Sequence, residues 1–321
     1  MGSIVKPVVC IVTPGTRDAN NGNWRTASRW AQMLRARYRI IVQTQWDGEP
    51  VDALIALHAR RSADSIARFH GKAAGRRLAV VLTGTDLYKD LPESREAARS
   101  LDFADRIVVL QEDAPRLLTP AWREKCVVIF QSARALPRRA KARGRLDCVV
   151  VGHLREEKDP RTLFAAVRLL PPGLAITVRH IGAPLDAALG REARALQESD
   201  SRYRYSGALP RGLTRAAMAM AHVLVHPSVV EGGANVVVEA ITGATPVIAS
   251  RISGNVGMLG AGYPGYFEAR DESGLAACLV QALEDPRYRQ ALERAAAARK
   301  PLFAPAAEAR AIGRVAEMLL A

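Results

Sequence analysis

One stretch of the chain, residues 226–257, constrains the possible fold more than any other. It follows an apolar run at 223–225 and contains a polar loop, a helical pattern that ends at Gly243, and a second apolar run at 246–249. A strand, a helix and a further strand in this order form the repeating unit of parallel α/β sheets. The stretch therefore predicts an α/β fold in which the helix begins at the carboxyl ends of the strands, beside a crevice.

The polar loop of this stretch is a candidate anion site. The first N–H groups of a helix are unpaired and lie at the positive end of its dipole. Gly232 and Gly233 would let a ligand approach the backbone, because glycine has no Cβ. Glu231 precedes this pair, and Glu239 follows eight positions after Glu231. We interpret the two carboxylates as acceptors for hydroxyl groups of a sugar and a ribose. Two incidental surface glutamates in another doubly wound fold are the alternative.

This stretch resembles the donor-sugar motif of the family-4 type glycosyltransferases, which have the two-domain GT-B fold. The resemblance rests on the spacing of Glu231 and Glu239 and on the strand that follows, Gly-Ala-Thr-Pro-Val-Ile-Ala-Ser at 243–250. It implies two Rossmann-like, doubly wound parallel-sheet domains that face a cleft. It also implies that Glu231 contacts the donor sugar and Glu239 the ribose of the nucleotide. Four neighbouring residues are then expected to bind the donor: Gly232, Gly233, Ala234 and Asn235.

The charge of the chain indicates a small acidic partner. The 321 residues carry a formal net charge of +14. Aromatic residues make up only 5% and are not interleaved with the basic ones, which disfavours the stacking platforms of nucleic-acid-binding proteins. The composition thus favours phosphate-bearing small molecules over nucleic acid. No apolar run has the length of a membrane span, and the cysteines in apolar runs indicate reduced thiols, so we expect a cytoplasmic, soluble protein.

The length and the distribution of apolar runs predict two domains. The first occupies residues 1–136, and a basic segment rich in breaker residues, 137–145, is the predicted linker. The second domain occupies residues 146–300. By the family resemblance, the final helix within 301–321 crosses back and packs near the first domain.

The first domain places polar and basic residues after its predicted strands. A polar loop at 13–23 follows the first strand and lacks the Gly-x-Gly-x-x-Gly pattern of dinucleotide-binding domains, so we exclude an NAD site. His58 directly follows the strand at 53–57. Thr83 follows the strand at 78–82, at a position where the resembled family commonly has a histidine. His58 is the expected replacement for that missing acceptor-side histidine.

The second domain carries a further basic pattern at 152–158, after its first strand. Related glycosyltransferases have Gly-Arg-x-x-x-x-Lys here, and both cations hold the donor diphosphate. Lys158 occupies the lysine position, and His153 occupies the arginine position. By this resemblance Lys158 neutralises the leaving diphosphate with Arg155 assisting; an exposed, charged helix start is the alternative. Two further segments are expected at the same crevice: Leu209, beside the nucleotide base, and a polar glycine loop at 253–257.

Several short motifs resemble a narrower group, the selenosugar synthases of selenoneine biosynthesis. They lie at 13–17, 20–26, 57–62, 82–88 and 151–155. These enzymes transfer an N-acetylhexosamine from a UDP-sugar, UDP-N-acetylglucosamine or a similar UDP-hexosamine, to selenophosphate, and release UDP and phosphate. The expected catalytic residues are Lys158, Glu231, Arg155 and His58. We also expect donor contacts from Asn21, Gly22 and His153.

The basic residues of the first domain agree with this acceptor, because a trianion held beside a diphosphate requires many cations. The expected acceptor-binding residues are Arg17, Asn20, Arg25, Arg60, Arg61, Thr83 and Lys89. For the arginines after His58, a solvated helix start is the alternative. Selenium in selenophosphate is already a strong nucleophile, so catalysis would need positioning and stabilisation of the departing UDP more than a general base.

We expect no cofactor and no metal, because Lys158 and helix N-termini can neutralise the diphosphate. Two other functions remain open. One is an ordinary family-4 glycosyltransferase that acts on a hydroxyl acceptor. The other is a non-catalytic nucleotide-sugar-binding module, from which UDP release in the presence of an acceptor would distinguish an enzyme.

Overall fold

The computed structural model describes residues 6–15, 22–72 and 77–321. The chain divides into two compact units. Unit 1 comprises the described residues up to Gln131 together with Pro305–Ala321, and unit 2 comprises Ser132–Ala304. Each unit contains a six-stranded sheet with flanking helices, and its strands pair in parallel. The predicted α/β class, with one doubly wound parallel sheet in each domain, is confirmed.

Unit 1 begins with alternating strands and helices. Its strands are β1 (Val8–Val12), β2 (Arg39–Gln43), β3 (Ala53–Leu57), β4 (Leu78–Leu82), β5 (Arg106–Val109) and β6 (Cys126–Val128). Its first helices are α1 (Gly22–Leu34), α2 (Ala63–Lys72), α3 (Arg95–Phe103) and α4 (Pro120–Glu124). The strands lie in the order β2-β1-β3-β4-β5-β6.

The packing of β1 explains why the strands of unit 1 are unbroken apolar runs in the sequence. Val9 and Ile11 pack in a cluster with α1, whereas Cys10 and Val12 pack in a second cluster with α2 and α3. Successive side chains of a strand point to opposite faces, so both faces of this sheet are covered. Burial raises the pKa of the Cys10 thiol to about 12, which leaves it an unreactive core side chain.

Unit 2 repeats the alternation of strands and helices. Its strands are β7 (Leu146–Val151), β8 (Ile176–Ile181), β9 (Tyr203–Tyr205), β10 (Val223–His226), β11 (Val247–Ser250) and β12 (Tyr266–Phe267). Its helices are α5 (Pro160–Leu169), α6 (Ala187–Ser199), α7 (Arg211–Met220), α8 (Asn235–Thr242), α9 (Ser253–Leu259), α10 (Glu272–Glu284) and α11 (Pro286–Arg299).

The strand order of unit 2 reverses between β7 and β10. The order is β12-β11-β10-β7-β8-β9, so the chain adds strands outward from β7 on one side and from β10 on the other. This is the order of dinucleotide-binding Rossmann domains, in which ligands bind beyond the carboxyl ends of the two central strands. The segments that follow Val151 and His226 therefore meet at the position where an open α/β sheet binds its ligand.

The last helix of the chain, α12 (Pro305–Leu320), belongs to unit 1 and packs on α1. Glu308 is buried in this contact and accepts hydrogen bonds from Nε of Arg29 and from Nε1 of Trp30, both at 2.7 Å. These bonds satisfy a carboxylate that burial would otherwise destabilise. At 16 residues, α12 is the longest helix that the structure describes, and no described helix is both long and apolar enough to span a membrane.

Two segments differ from the sequence-based expectation. The predicted linker, 137–145, lies within unit 2. Nζ of Lys141 donates to the carbonyl oxygen of His222, and Nε2 of His222 donates to the carbonyl oxygen of Ala142. The segment is thus hydrogen-bonded to the residue that precedes β10. The predicted polar loop at 253–257 is wrong, since these residues form the first part of α9. The apolar residues Val256 and Leu259 are spaced for one helix face and override the turn preference of the preceding residues.

Candidate active site

Lys158 and Glu231 form an ion pair at the point where the strand order of unit 2 reverses. Lys158 ends a short 3-10 turn, Glu156–Lys158, that follows β7, and Glu231 lies in the loop that follows β10. The N–H of Val229 donates to the carbonyl oxygen of Glu157 at 3.0 Å and joins this loop to the turn. The two side chains are only 20% and 10% exposed. The fold thus brings together the two residues that the sequence analysis assigns to the donor diphosphate and the donor sugar.

His226 completes this cluster from the end of β10. Its Nε2 lies 3.2 Å from Oε1 of Glu231, the oxygen that also contacts Lys158. Burial alone would raise the pKa of the Glu231 carboxyl, but Lys158 and His226 together lower that pKa well below its usual range. Glu231 is therefore an anion at neutral pH, and an ionised carboxyl group can only accept hydrogen bonds.

The start of α9 supports the loop that carries Glu231. Nδ2 of Asn255 donates to the carbonyl oxygen of Ser250 at 2.9 Å. The hydroxyl of Ser250 in turn donates to the carbonyl oxygen of Ser228 at 2.5 Å. All three side chains are buried. This chain of bonds connects α9 through the end of β11 to the loop after β10, so the loop is fixed on two sides.

The same loop ends at the N-terminus of α8. Ala234 is the N-cap residue, and its side chain cannot accept a hydrogen bond from the first turn. Gly232 and Ala234 are buried, whereas Gly233 and Asn235 are half-buried. The hydroxyl of Ser228 is buried without a hydrogen-bond partner among the described residues. Backbone N–H groups and a hydroxyl are consequently the neutral donors that this loop can direct at an anion.

Glu239 lies in α8 and is paired with Arg211 at the start of α7. Nη2 and Nε of Arg211 donate to Oε1 of Glu239 at 2.6 and 3.0 Å. Arg211 is 56% exposed, whereas the Glu239 side chain is only 10% exposed. The structure therefore holds each glutamate of the motif beside a cation: Lys158 for Glu231, and Arg211 for Glu239.

The other predicted donor residues lie around the ends of β7, β8 and β9. Nδ1 of His153 accepts a hydrogen bond from the N–H of Ala183 at 2.9 Å, while the ring is exposed. Arg155 is exposed at the beginning of the 3-10 turn, and the structure records no contact of its side chain with Lys158 or Glu231. Leu209 is half-buried, and its carbonyl oxygen accepts from the hydroxyl of Thr214 at 3.3 Å.

In unit 1, Asp86 organises the segments that follow β3 and β4. This carboxylate is fully buried. Oδ1 accepts hydrogen bonds from the N–H groups of Thr83 and Gly84, both at 2.8 Å, and of Leu87 at 3.2 Å. Oδ2 accepts from the N–H of Ala59 at 3.1 Å. A single side chain thus fixes the conformation of both loops.

His58 lies between these loops with a backbone φ of 73°, in the left-handed region that few residues other than glycine adopt. Its side chain is buried, and Nε2 lies 3.2 Å from the hydroxyl oxygen of Thr85 and 3.8 Å from Oδ2 of Asp90. Nδ1 accepts from the N–H of Arg61 at 3.3 Å. Burial, together with the charges of Arg61 and Arg60, lowers the pKa of the imidazole against the opposing effect of the two carboxylates, so His58 is neutral at pH 7.

The remaining residues predicted to bind the acceptor are spread over the same edge of unit 1. Arg60 is exposed and donates to Oδ1 of Asp90 at 2.9 Å. Arg61 and Lys89 are exposed, and Arg25 and Thr83 are half-buried. Gly22, which is expected to contact the donor, is also exposed. Three predicted residues lie outside the described part of the chain: Arg17, Asn20 and Asn21.

Comparison with known protein families identifies the chain. The sequence profile of the family "glycosyl transferases group 1" matches residues 134–299, just over half of the chain. The protein belongs to this family. The expectation that it is a glycosyltransferase is thereby confirmed, and the family match covers the loop of Glu231 and the turn of Lys158. Among curated proteins, no sequence matches the chain significantly.

Solved structures show the same fold over nearly all of the glycosyltransferase. Alr3699/HepE from Anabaena, in complex with UDP and glucose, matches with a TM-score of 0.75 at 14% identity, over 97% of this chain and 100% of that one. A sucrose-phosphate synthase from Thermosynechococcus elongatus matches with a TM-score of 0.75 at 16% identity, over 98% and 99%. The pneumococcal O-GlcNAc transferase GtfA, in complex with UDP and GlcNAc, matches at 0.64 and 17%, over 91% of this chain and 59% of that one. These likenesses establish the GT-B fold, with two Rossmann-like domains.

Four residues of the glycosyltransferase's candidate site were not predicted from the sequence: His226, Arg211, Asp86 and Asp90. His226 had a usable signal, since it is the polar residue that ends the strand before the glutamate motif. Asp86 had one as well, because it stands in the Thr-Gly-Thr-Asp segment directly after a buried strand. Arg211 and Asp90 had no such sequence signal, because their partners Glu239 and Arg60 are 28 and 30 positions away along the chain.

The positive charges beside Glu231 and Glu239 come from basic side chains of the protein. They are Lys158 and Arg211, each of which contacts one carboxylate. Within the described ranges, no group of three or more His, Cys, Asp or Glu side chains is arranged to hold a metal ion.

Proposed function

We propose that this glycosyltransferase transfers an N-acetylhexosamine from a UDP-sugar to selenophosphate, as a family-4 type enzyme. Selenium forms a bond to the anomeric carbon of the sugar while the bond from that carbon to the UDP oxygen breaks. Water then cleaves the selenium–phosphorus bond, so that the products are a selenosugar, UDP and phosphate. The observation that carries the donor half of this proposal is the Lys158–Glu231–His226 cluster beyond β7 and β10.

The donor assignment follows from the charges of this cluster. Lys158 supplies positive charge for the diphosphate that departs, and the N-terminus of α8 supplies N–H groups. Glu231, as an anion, accepts hydrogen bonds from hydroxyl groups of the sugar. Glu239 does the same for the ribose, next to Arg211. The UDP in the solved complexes of HepE and GtfA supports a UDP-sugar as the donor.

The acceptor assignment rests on the basic edge of unit 1 and on the motifs that resemble selenosugar synthases. Arg60 and Arg61 follow β3, and Lys89 follows β4, so three cations stand near the carboxyl ends of neighbouring strands. A trianion would be attracted there, whereas an uncharged acceptor would not require these charges. We further propose that turnover needs no metal ion, because Lys158 and the helix N-terminus neutralise the diphosphate. Activity that a chelator abolishes and Mg²⁺ restores would refute this.

Mass spectrometry of the products tests the whole proposal. The purified protein is incubated with UDP-N-acetylglucosamine and selenophosphate, with phosphate and thiophosphate as control acceptors. We expect a selenosugar and an equal amount of UDP from the wild type and from the surface variant Glu198→Ala. Neither product should form with Glu231→Ala or Lys158→Ala. UDP-sugar binding without any selenosugar would retain the donor half and refute the acceptor half.

One observation favours the alternative of a hydroxyl acceptor. His58 is buried and neutral, and two carboxylates lie near its ring, at 3.9 Å for Asp86 and 3.8 Å for Asp90. The neutral imidazole has one unprotonated nitrogen, Nδ1, which would accept a proton from a hydroxyl group once the N–H of Arg61 no longer occupies it. His58→Gln separates the two functions. Transfer to selenophosphate should be reduced by less than about ten-fold, because no proton must be removed, whereas transfer to a hydroxyl should fall by about 100-fold or more.

A further inference from the structure

Unit 2 contains a solvent-accessible cavity of about 280 Å³ at the edge of the sheet opposite to Lys158 and Glu231. His222 and Pro246 line it, and they directly precede β10 and β11. The glutamate cluster lies beyond the other end of β10, whose four residues span about 13 Å at roughly 3.3 Å per residue. The cavity is therefore separate from the candidate donor site.

Cationic side chains dominate the lining of this cavity. They are Arg138, Arg139, Lys141 and Arg289, against one carboxylate, Glu293. Arg138 contacts that carboxylate at 3.1 Å. Arg139 is exposed and forms no ion pair within the described part of the chain. The cavity consequently has an excess of positive charge that the protein itself does not neutralise.

Lys141 is held inside the cavity by neutral groups. Its Nζ donates to the carbonyl oxygens of His222 and Ala244, at 3.4 and 3.3 Å. Burial lowers the pKa of the ammonium group to about 8, against the effect of Glu293 and together with that of Arg138. Two carbonyl oxygens thus orient the amine without cancelling its charge, and an external anion would stabilise the charged form.

The arginine that α11 contributes to the lining is also fixed in place. Nη1 of Arg289 donates to the carbonyl oxygens of Ala282 and Leu283, at 2.5 and 2.7 Å, in the last turn of α10. His222 is fixed as well, since Nδ1 accepts from the N–H of Asp147 and Nε2 donates to the carbonyl oxygen of Ala142, both at 2.9 Å. The walls that carry the charges are therefore formed before any ligand arrives, which lowers the entropic cost of binding.

We propose that this cavity binds a small phosphate-type anion, either phosphate or pyrophosphate. Its volume is at the lower limit of ligand pockets, which begin at about 300 Å³, so it suits an inorganic anion better than a whole nucleotide. Such an anion would be shared by Arg139 and Lys141 of the segment 138–141 and by Arg289 of α11. The bound anion would connect segment 138–141 with α11 and with the residues that precede β10 and β11. It would thereby stabilise unit 2.

Competitive amine labelling with a mass-spectrometric readout tests the proposal. The full-length protein reacts with a low concentration of an amine-acylating reagent at pH 8, in pyrophosphate, in phosphate, or in sodium chloride of equal ionic strength. Acylation is followed separately at each lysine. At an anion concentration ten times the Kd we expect Lys141 to react about ten-fold more slowly than in sodium chloride. Lys125 and Lys300 should react at unchanged rates, and Lys158 reports any binding at the donor site.

Two surface variants and a matched control make the test specific. Arg139→Gln removes a lining charge and should weaken the protection of Lys141, whereas Glu293→Gln removes the opposing carboxylate and should strengthen it. Arg143→Gln removes an exposed charge of the same segment that does not line the cavity, and should behave as the wild type. Two results would overturn the proposal. One is that Lys141 reacts at the same rate in pyrophosphate, in phosphate and in sodium chloride. The other is that Arg139→Gln and Arg143→Gln show equal protection of Lys141.

Discussion

Gly254 lies so close to Glu231 that a Cβ on residue 254 would be 2.0 Å from the carbonyl oxygen of Glu231. No side chain can occupy that space, because the nearest atoms belong to the backbone and cannot rotate away. The first turn of α9 therefore packs directly on the loop that carries Glu231. The position of Glu231 depends on the absence of a single methyl group.

Gly254→Ala should displace this loop and impair catalysis with little effect on other parts of the fold. A displacement of about 1 Å at a reacting group lowers the rate by about 100-fold. We therefore expect the rate of UDP release to fall by about 10- to 100-fold. Gly262→Ala is the control, since no atom lies within 4 Å of its added Cβ. Full activity of Gly254→Ala would show that the loop adapts and that its position is not critical.

The ion pair between Lys158 and Glu231 should make the stability of unit 2 depend on pH. The pKa of Glu231 is lower in the folded protein than in the unfolded chain, where the pKa of a glutamate is about 4.3. The ion pair therefore contributes its full stabilisation at pH values above about 4.3. This contribution is lost as the pH falls from there towards the folded pKa. Urea unfolding at pH 7 should show Glu231→Gln less stable than the wild type by about 3 kcal/mol.

Below pH 4 the stability difference between the wild type and Glu231→Gln should shrink, since Glu231 then binds a proton in the unfolded chain while it stays ionised in the folded protein, which favours unfolding of the wild type. The surface variant Glu198→Gln serves as the control and should follow the wild type at every pH. A difference that stays constant from pH 7 to pH 3 would contradict the assigned direction of the pKa shift.

Arg211→Gln should affect binding of the donor more than its conversion. Arg211 orients the Glu239 carboxylate through two hydrogen bonds and forms no ion pair with Glu231. Loss of such an orienting pair is worth about 1 kcal/mol, so the KM for the UDP-sugar should rise about five-fold while kcat changes little. The exposed Arg204→Gln on β9 is the matched control. A selective loss of kcat would instead place Arg211 at the reacting atoms.

Asp86→Asn should destabilise unit 1. The carboxylate accepts hydrogen bonds from four backbone N–H groups, and an amide has only one oxygen to offer them. Leaving buried donors unsatisfied costs about 1–3 kcal/mol, which chemical denaturation would measure as a lower transition midpoint. The exposed Glu93→Gln should leave that midpoint unchanged. An unchanged midpoint for Asp86→Asn would mean that water replaces the lost acceptor.

The strands show how far local sequence reaches. β1, β3 and β4 begin and end where their apolar runs do, because a strand covered on both faces must be apolar at every position. β9 ends at Tyr205, because Gly207 has a φ of 63° that no strand accommodates. The segment at 253–257 contains turn-forming residues but is helical, because Val256 is half-buried and Leu259 is buried against the rest of unit 2.

Local sequence patterns were sufficient to predict the parallel α/β class, the strand–loop–helix unit with Glu231 and Glu239, and the position of Lys158 after β7, because each depends on residues close together along the chain. Tertiary structure alone decided which charges meet. Lys158 and Glu231 are 73 residues apart, Arg211 and Glu239 are 28, and no local pattern encodes these partners. The strand order puts β7 next to β10 and so creates the first pair. Strand order is set by the packing of both sheet faces together, which is a property of the whole domain.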